Sequence, residues 1–323
     1  MPDRLDLVTT GELLASIGPH APGFPLAESP LLRWSVGGSE VNVVVALAGR
    51  GHRVGWVGAV GDDPFGHEGL RRLAGCGVDV SRAIVDPTAP TGVYFKEVLQ
   101  SGALRNHTYR AGSAASRATP ADLDVDYLVS ARHLHLTGIT ASISASGREL
   151  VGSLIAAALD RGVEVSFDVN LRHRLLGARD PVALLLPLVR QADVVFCSRR
   201  EAALLLGTDD PGRIAGLLPK RAGAAIVVHD DAGAFAVTGG GVVTVAAHKT
   251  EVVDPTGAGD AFAAGFLSGR LDGLPMDACL DLAAELAARV VADPGDHVTP
   301  RAIEDSPGAR DCFLSAELDV DDR

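Results

Sequence analysis

The sequence predicts an α/β fold, a doubly wound and mostly parallel sheet carrying a small β-sheet lid. Three observations predict it. Short apolar, β-rich runs alternate with Ala- and Leu-rich stretches of helical length along most of the 323 residues. The β-rich runs are almost continuously apolar, as strands buried on both faces must be. Two segments break the rhythm, and one of them alternates apolar and polar residues with period two.

In chain order, LDLVTTG (5–11) reads as the first strand. Residues 12–36 are punctuated by proline and end in LLRWSVGG, so they interrupt the βα order. SEVNVVVALAGRG then returns the chain to the sheet as a helix, and VGWVGAVG (54–61) is the next strand. PFGHEGLRRLAGCG is a helix whose start, GDDPFG, offers Asp62 and Asp63 as turn and cap residues. TGVYFKEVLQSGALRNHTYR (91–110) reads as a β-hairpin turning at Ser101-Gly102. HLHLTG (133–138), VEVSFDV (163–169), DVVFCS (193–198) and AAIVVH (224–229) are further strands. SASGRELVGSLIAAALDRG and PVALLLPLVRQ are helices between them. Right-handed crossovers make the doubly wound layout the expected one. The expected organisation is an α/β domain from 1–11, 37–90 and 111–301, a lid from 12–36 and 91–110, and an acidic tail at 302–323.

Hydrophobic residues make up 47% of the chain and charged residues 22%, enough apolar chain for a large core. Twenty-nine basic against 41 acidic residues give a net charge of −12, so a basic nucleic-acid footprint is absent. No apolar run approaches the roughly 20 residues of a membrane span. The start, MPDRLDLVTTGELL, has no apolar signal core, so a cytoplasmic protein with no membrane partner is expected. Cys76, Cys197, Cys279 and Cys312 lie far apart with no metal-ligand spacing and read as reduced thiols.

The strongest chemical signal is DPTGAGDAFAAGF (254–266). A Gly-rich turn opening a helix leaves backbone N–H groups of Gly257, Ala258, Gly259 and Asp260 pointing outward. With the positive end of the helix dipole they suit a phosphate. Asp260 in that first turn reads equally as a stabilising carboxylate or as the base that takes a proton from an attacking hydroxyl. His229 and His297 read as structural histidines. No G-x-G-x-x-G follows the first strand, where the chain runs GELLASIG, so a dinucleotide fold is excluded.

DPTGAGDAFAAGF resembles the C-terminal signature of the PfkB (ribokinase-like) sugar kinases, and GGSEVNVVVALAGRG with VGWVGAVGDDPFG resembles their N-terminal one. The resemblance runs from about residue 6 to 299. It implies a ribokinase-like fold, ATP and Mg²⁺, and leaves room for a monovalent cation. GGSEVN (37–42), TYRAGSAAS (108–116), LHLTGIT (134–140), FDVNLRHRLL (167–176) and PGDH (294–297) are most similar to 2-keto-3-deoxygluconate kinases. That similarity implies a sugar acid phosphorylated on a terminal hydroxyl. It places substrate contacts at Gly38, Asn42, Tyr94, Arg110, Ile139, Arg172 and Asp260, the two arginines suiting a carboxylate. It places nucleotide contacts at Ser198, Glu201, Gly233, Gly257 and Gly259, with Glu201 ordering Mg²⁺ through water. Tyr94 reads alternatively as a packing aromatic of the lid, and Glu201 as a first-turn helix acid.

Three positions depart from the family pattern. Thr108 stands where the lid strand of these kinases often has a first tyrosine. The NxxE element reads Ser198-Arg199-Arg200-Glu201. The nucleotide loop reads HDDAG, with Asp230 near the usual glycine and no lysine, so two acids would repel a triphosphate unless turned away. The alternatives are a kinase of a neutral sugar or nucleoside, and a non-catalytic sensor that kept the fold. An exposed lid edge makes a homodimer through the lid the expected assembly.

Overall fold

The computed structural model describes residues 4–20, 25–98, 104–219 and 221–292. The hairpin turn expected at 101–102, the 294–297 segment with His297, and the acidic tail lie outside the described residues.

The strands in chain order are β1 (Leu7–Thr10), β2 (Leu14–Pro19), β3 (Leu32–Gly37), β4 (Val54–Val57), β5 (Ala59–Gly61), β6 (Val78–Asp79), β7 (Ile84–Asp86) and β8 (Gly92–Val98). They continue with β9 (Leu104–Tyr109), β10 (His133–Thr137), β11 (Glu164–Asp168), β12 (Val194–Ser198), β13 (Ala225–Asp230), β14 (Gly233–Thr238) and β15 (Gly241–Ala246). The main sheet has the order β15-β14-β13-β12-β11-β10-β1-β4-β6. It is parallel from β13 to β6 and antiparallel at β13-β14-β15. All six expected strands are present, but VGWVGAVG divides at Gly58 into β4 and β5, and β5 pairs with β7 instead.

The longer helices are α1 (Ser39–Gly49), α2 (Pro64–Gly75), α3 (Ala145–Arg161), α4 (Pro181–Val189), α5 (Arg199–Leu206), α6 (Ala258–Leu271) and α7 (Met276–Val291). Side chains of α3, α4 and α5 share one buried cluster with Val8, Leu134 and Phe167. Side chains of α1, α2, α6 and α7 share another with Leu7, Trp56 and Phe196. Successive strand residues therefore feed opposite cores, which is why the strands read as unbroken apolar runs. Asp63 caps α2 as expected, accepting from the Gly66 N–H at 2.8 Å.

The two irregular segments form one four-stranded sheet, ordered β3-β2-β8-β9. β2 and β8 pair in parallel, with Ser16 opposite Tyr94; the outer pairs are antiparallel. No described helix is long and apolar enough to cross a membrane. Cys197 and Cys279 are free thiols, and Cys312 lies outside the described residues.

Candidate active site

Topology puts the site where the chain reverses direction across the sheet. From β1 the sheet grows toward β4 in one direction and toward β10 in the other, so a crevice opens at the carboxyl ends of these strands. The N-termini of α1 and α6 and the end of β11 meet there. Asp260, in the first turn of α6, is 7% exposed. Its Oδ1 accepts from Ser39 Oγ at 2.6 Å and from Asn170 Nδ2 at 3.2 Å, and its Oδ2 accepts from Asn42 Nδ2 at 2.7 Å. Burial raises its pKa, while those donors and the Arg172 guanidinium pull it back down. A carboxylate so held is fixed in direction and remains a usable proton acceptor.

Gly257 caps α6 with φ 80°, a left-handed conformation that favours glycine. The first helical bond is Ala261 N–H to Gly257 O at 2.8 Å, and Ala258 N–H reaches Pro255 O only at 3.4 Å. Among the described residues none accepts from the N–H groups of Gly257, Gly259 or Asp260. Three N–H groups without an acceptor among the described residues, and a fourth only weakly engaged, thus lie at one helix terminus, the arrangement that suits phosphoryl oxygens.

Of the expected sugar contacts, Asn42 and Arg172 act directly on Asp260. Gly38 caps α1 at φ 137°, and a Cβ there would lie 2.1 Å from Glu12 O. Its role is to let α1 start against the chain leaving β1. Asn42 serves Asp260 through Nδ2, and its buried Oδ1 has no partner. Tyr94 is buried and lies across Gly37, whose added Cβ would stand 2.8 Å from the ring. Thr108 faces Tyr94 across β8 and β9. Ile139 is buried in the short helix Gly138–Ile143, and its N–H donates to Thr137 Oγ1 at 3.2 Å. Arg172 is exposed beside the crevice and lowers the pKa of both Asp168 and Asp260. Arg110 is engaged within the protein. Its Nη1 donates to Glu12 Oε2 at 2.6 Å, and Glu12 is 2% exposed. One of the two guanidiniums is therefore already neutralised inside the protein.

On the nucleotide side, Ser198 and Glu201 form a capping box at the start of α5. Glu201 Oε2 accepts from Ser198 N–H at 2.7 Å, and Oε1 accepts from Leu171 N–H at 2.6 Å. Glu201 so links α5 to the loop carrying Asn170 and Arg172. Gly233 has φ 148° and closes the β13–β14 hairpin, its N–H donating to Asp230 Oδ1 at 3.1 Å. The repulsion expected at Asp230 is relieved. Oδ1 also accepts from Ala232 N–H at 2.8 Å, and Oδ2 pairs with Arg199. The aspartate in the loop is thus offset by Arg199, at the second position of the NxxE element, whose own departure is Ser198 in place of asparagine. His229 stacks on Phe262 with centroids 4.9 Å apart.

Several residues escaped the sequence reading. Asp168, at the end of β11, is buried, and burial with the charges of Glu201 and Asp260 drives its pKa well up. Asn170 carries φ 37°, the one positive φ among described non-glycine residues, and its Nδ2 reaches Ser39, Asp168 and Asp260. Such strain is stored where a side chain must be aimed. The motif FDVN contained both residues, but only its arginine stood out by chemistry. Among the described residues no three His, Cys, Asp or Glu side chains are arranged to hold a metal directly. The crowded acids Asp168 and Glu201 instead fit a magnesium ion held through water beside phosphates.

Glu40 is a further buried acid. Its Oε1 accepts from Thr137 Oγ1 at 2.6 Å and Thr140 Oγ1 at 2.5 Å, and Oε2 has no partner. Burial pushes its pKa up to about 7, and Glu12 adds to the shift. Between the ordinary value of 4.5 and about 7 the folded protein keeps a proton that the unfolded chain has lost. Stability then falls as pH rises through that window, by on the order of 1 kcal/mol per pH unit. Glu40→Gln should flatten the fall of Tm between pH 5 and 7.5. Parallel curves for the two proteins would refute this.

The fold and site define a class of protein: an α/β phosphotransferase with a β lid facing an anion-binding helix terminus. The pfkB family carbohydrate kinase model matches residues 20–301. The chain is 36% identical over 310 residues to 2-dehydro-3-deoxygluconokinase of Thermoproteus tenax, covering 93% of this chain and 94% of the relative. A PfkB protein from Polaromonas sp. JS666 superposes with TM-score 0.82 at 32% identity, covering 94% of this chain and 100% of that one. A provisionally assigned ribokinase II from E. coli, in complex with ATP and Mg²⁺, has TM-score 0.82 at 25% identity and covers 90% and 94%. This chain belongs to the pfkB family of carbohydrate kinases.

Proposed function

We propose that the protein phosphorylates a terminal hydroxyl of a sugar acid with ATP, and that the acid is 2-keto-3-deoxygluconate. The observation that carries the kinase chemistry is Asp260, buried and triply held at the N-terminus of α6. Asp260 takes the proton of the acceptor hydroxyl as that oxygen bonds to the γ-phosphorus. The bond from the γ-phosphorus to the β–γ bridging oxygen breaks, and ADP carries the electron pair away. The N–H groups of residues 257–260 stabilise charge on the phosphoryl oxygens. Asp168 and Glu201 would hold Mg²⁺ through water, which when bound offsets phosphate charge. The sugar acid is supported by the identity to 2-dehydro-3-deoxygluconokinase and by Arg172, exposed at the crevice. Tyr94 and the Asn42 Oδ1 are the groups left to meet hydroxyls.

One observation favours a second reading, a neutral sugar acceptor: Arg110 is held by Glu12. An ADP-release assay over 2-keto-3-deoxygluconate, gluconate, fructose and ribose separates the two. Preference for the keto acid by kcat/KM is expected; preference for fructose or ribose would overturn the proposal, and no turnover on any would leave the sensor. Potassium dependence, suggested by the family resemblance alone, is checked by exchanging K⁺ for tetramethylammonium in that assay. We also infer a homodimer through the lid, where Leu32 on edge strand β3 is 50% exposed; light scattering should give twice the 33.3 kDa chain mass.

A further inference from the structure

One ion pair crosses from the lid to the phosphate-binding turn. β8 alternates, so Lys96 projects from the same face as Tyr94, toward the site. Its ammonium pairs with Asp254, the first residue of DPTGAGD. Both side chains are largely buried, at 12% and 4% exposure. Burial lowers the pKa of Lys96, and Asp254 opposes the shift.

Asp254 is built into the turn. Its Oδ1 accepts from Thr256 N–H at 3.0 Å, and its own N–H donates to Val291 O at 3.1 Å at the end of α7. One residue after Thr256 comes Gly257, the left-handed cap of α6, and Asp260 follows. A chain of contacts therefore runs from the lid through Lys96, Asp254 and Thr256 to the N–H groups that would receive phosphoryl oxygens.

We infer that Lys96 is a positioning residue that couples the seating of the lid to the phosphate-binding turn. Two physical effects follow from the pair. With Lys96 in place, the buried Asp254 carboxylate is neutralised and holds Thr256 N–H, so the turn keeps the geometry that aims its donors. Without Lys96, a buried and unpaired negative charge remains beside the place where an anionic group must bind. The pair also exists only while the lid lies on the turn, so one contact reports that the lid is seated and prepares the turn. Water exclusion and the anion-binding geometry are thereby linked. Charge and spacing in TGVYFKE do not reveal this, because Asp254 is 158 residues away.

The inference rests on the kinase reading of Asp260, and its test uses whichever acceptor the native protein phosphorylates. Lys96→Met should lower kcat about 50-fold while the acceptor Kd, measured by calorimetry, stays within threefold. It should also raise the ratio of acceptor-free ATP hydrolysis to transfer about tenfold. Lys96→Arg should restore kcat to within about fivefold of the native protein. Asp254→Asn should reproduce the Lys96→Met defect. The double variant, which leaves no lone buried charge and is the one expected to fold if Lys96→Met does not, should be no worse than the poorer single. Native kcat and coupling in Lys96→Met would overturn the inference. So would an Arg variant as poor as Met, or losses that multiply in the double variant. If no acceptor is found, hydrogen exchange of β8 amides in the free protein decides. Exchange at least tenfold faster in Lys96→Met supports the coupling, and unchanged exchange refutes it. That readout stands apart from the identity of the sugar.

Discussion

Asp260→Asn is expected to lower kcat by roughly 10²–10⁴-fold, the range for loss of a general base, with acceptor Kd changed by less than about fivefold. The variant should fold. The substituted amide would keep one carbonyl oxygen for Ser39 and Asn170. Its new NH₂ group can be met by Asn42, because Asn42 Oδ1 is buried without a partner and a flip of the amide presents it. The lost property is then proton affinity alone. Rapid-quench kinetics with calorimetric binding checks this, and turnover within tenfold of the native protein would remove Asp260 as base. A pH series adds a second check. A base must be deprotonated, so kcat/KM should fall as pH falls, with an apparent pKa above the ordinary aspartate value because burial raises that of Asp260.

Arg172→Glu should divide into two effects. For a sugar acid, a bidentate pair becomes a repulsion, and KM should rise by roughly 10²-fold or more. For a neutral acceptor the change in KM should be small. Independently of the acceptor, Arg172 lowers the pKa of Asp168 and Asp260, so its reversal should move the acid limb of the pH profile upward. An equal KM rise for acid and neutral acceptors would show that Arg172 does not read a carboxylate. An unmoved acid limb would show that its charge does not reach Asp260.

The fold was legible because its elements are governed by local pattern. Apolar runs such as VEVSFDV and DVVFCS have both faces covered, so composition alone marks them. The lid was legible from the period of TGVYFKE and LRNHTY, which pair as antiparallel strands β8 and β9. The antiparallel edge β14–β15 was not read, because its alternation is weak and glycine at 239–241 resembles a loop.

The candidate site was legible where chemistry and motif coincide, as in the residues proposed at Gly257 to Asp260 and at Arg172. It was not legible where function depends on a partner distant in the chain. Arg110 looked like a free guanidinium, and only packing shows Glu12, 98 residues away, holding it. Asp230 looked like an obstacle, and only the meeting of β13 with α5 shows Arg199 neutralising it. Asp168 and Asn170 looked ordinary until the ends of β11 and α6 were brought together. By itself the sequence determined an α/β fold with a lid, and a Gly-rich turn carrying the acid proposed here as the base. Tertiary structure alone decided which charges remain available to a substrate. Whether a buried charge is free or spent depends on the oppositely charged group within a few ångströms, and chain order does not encode that distance.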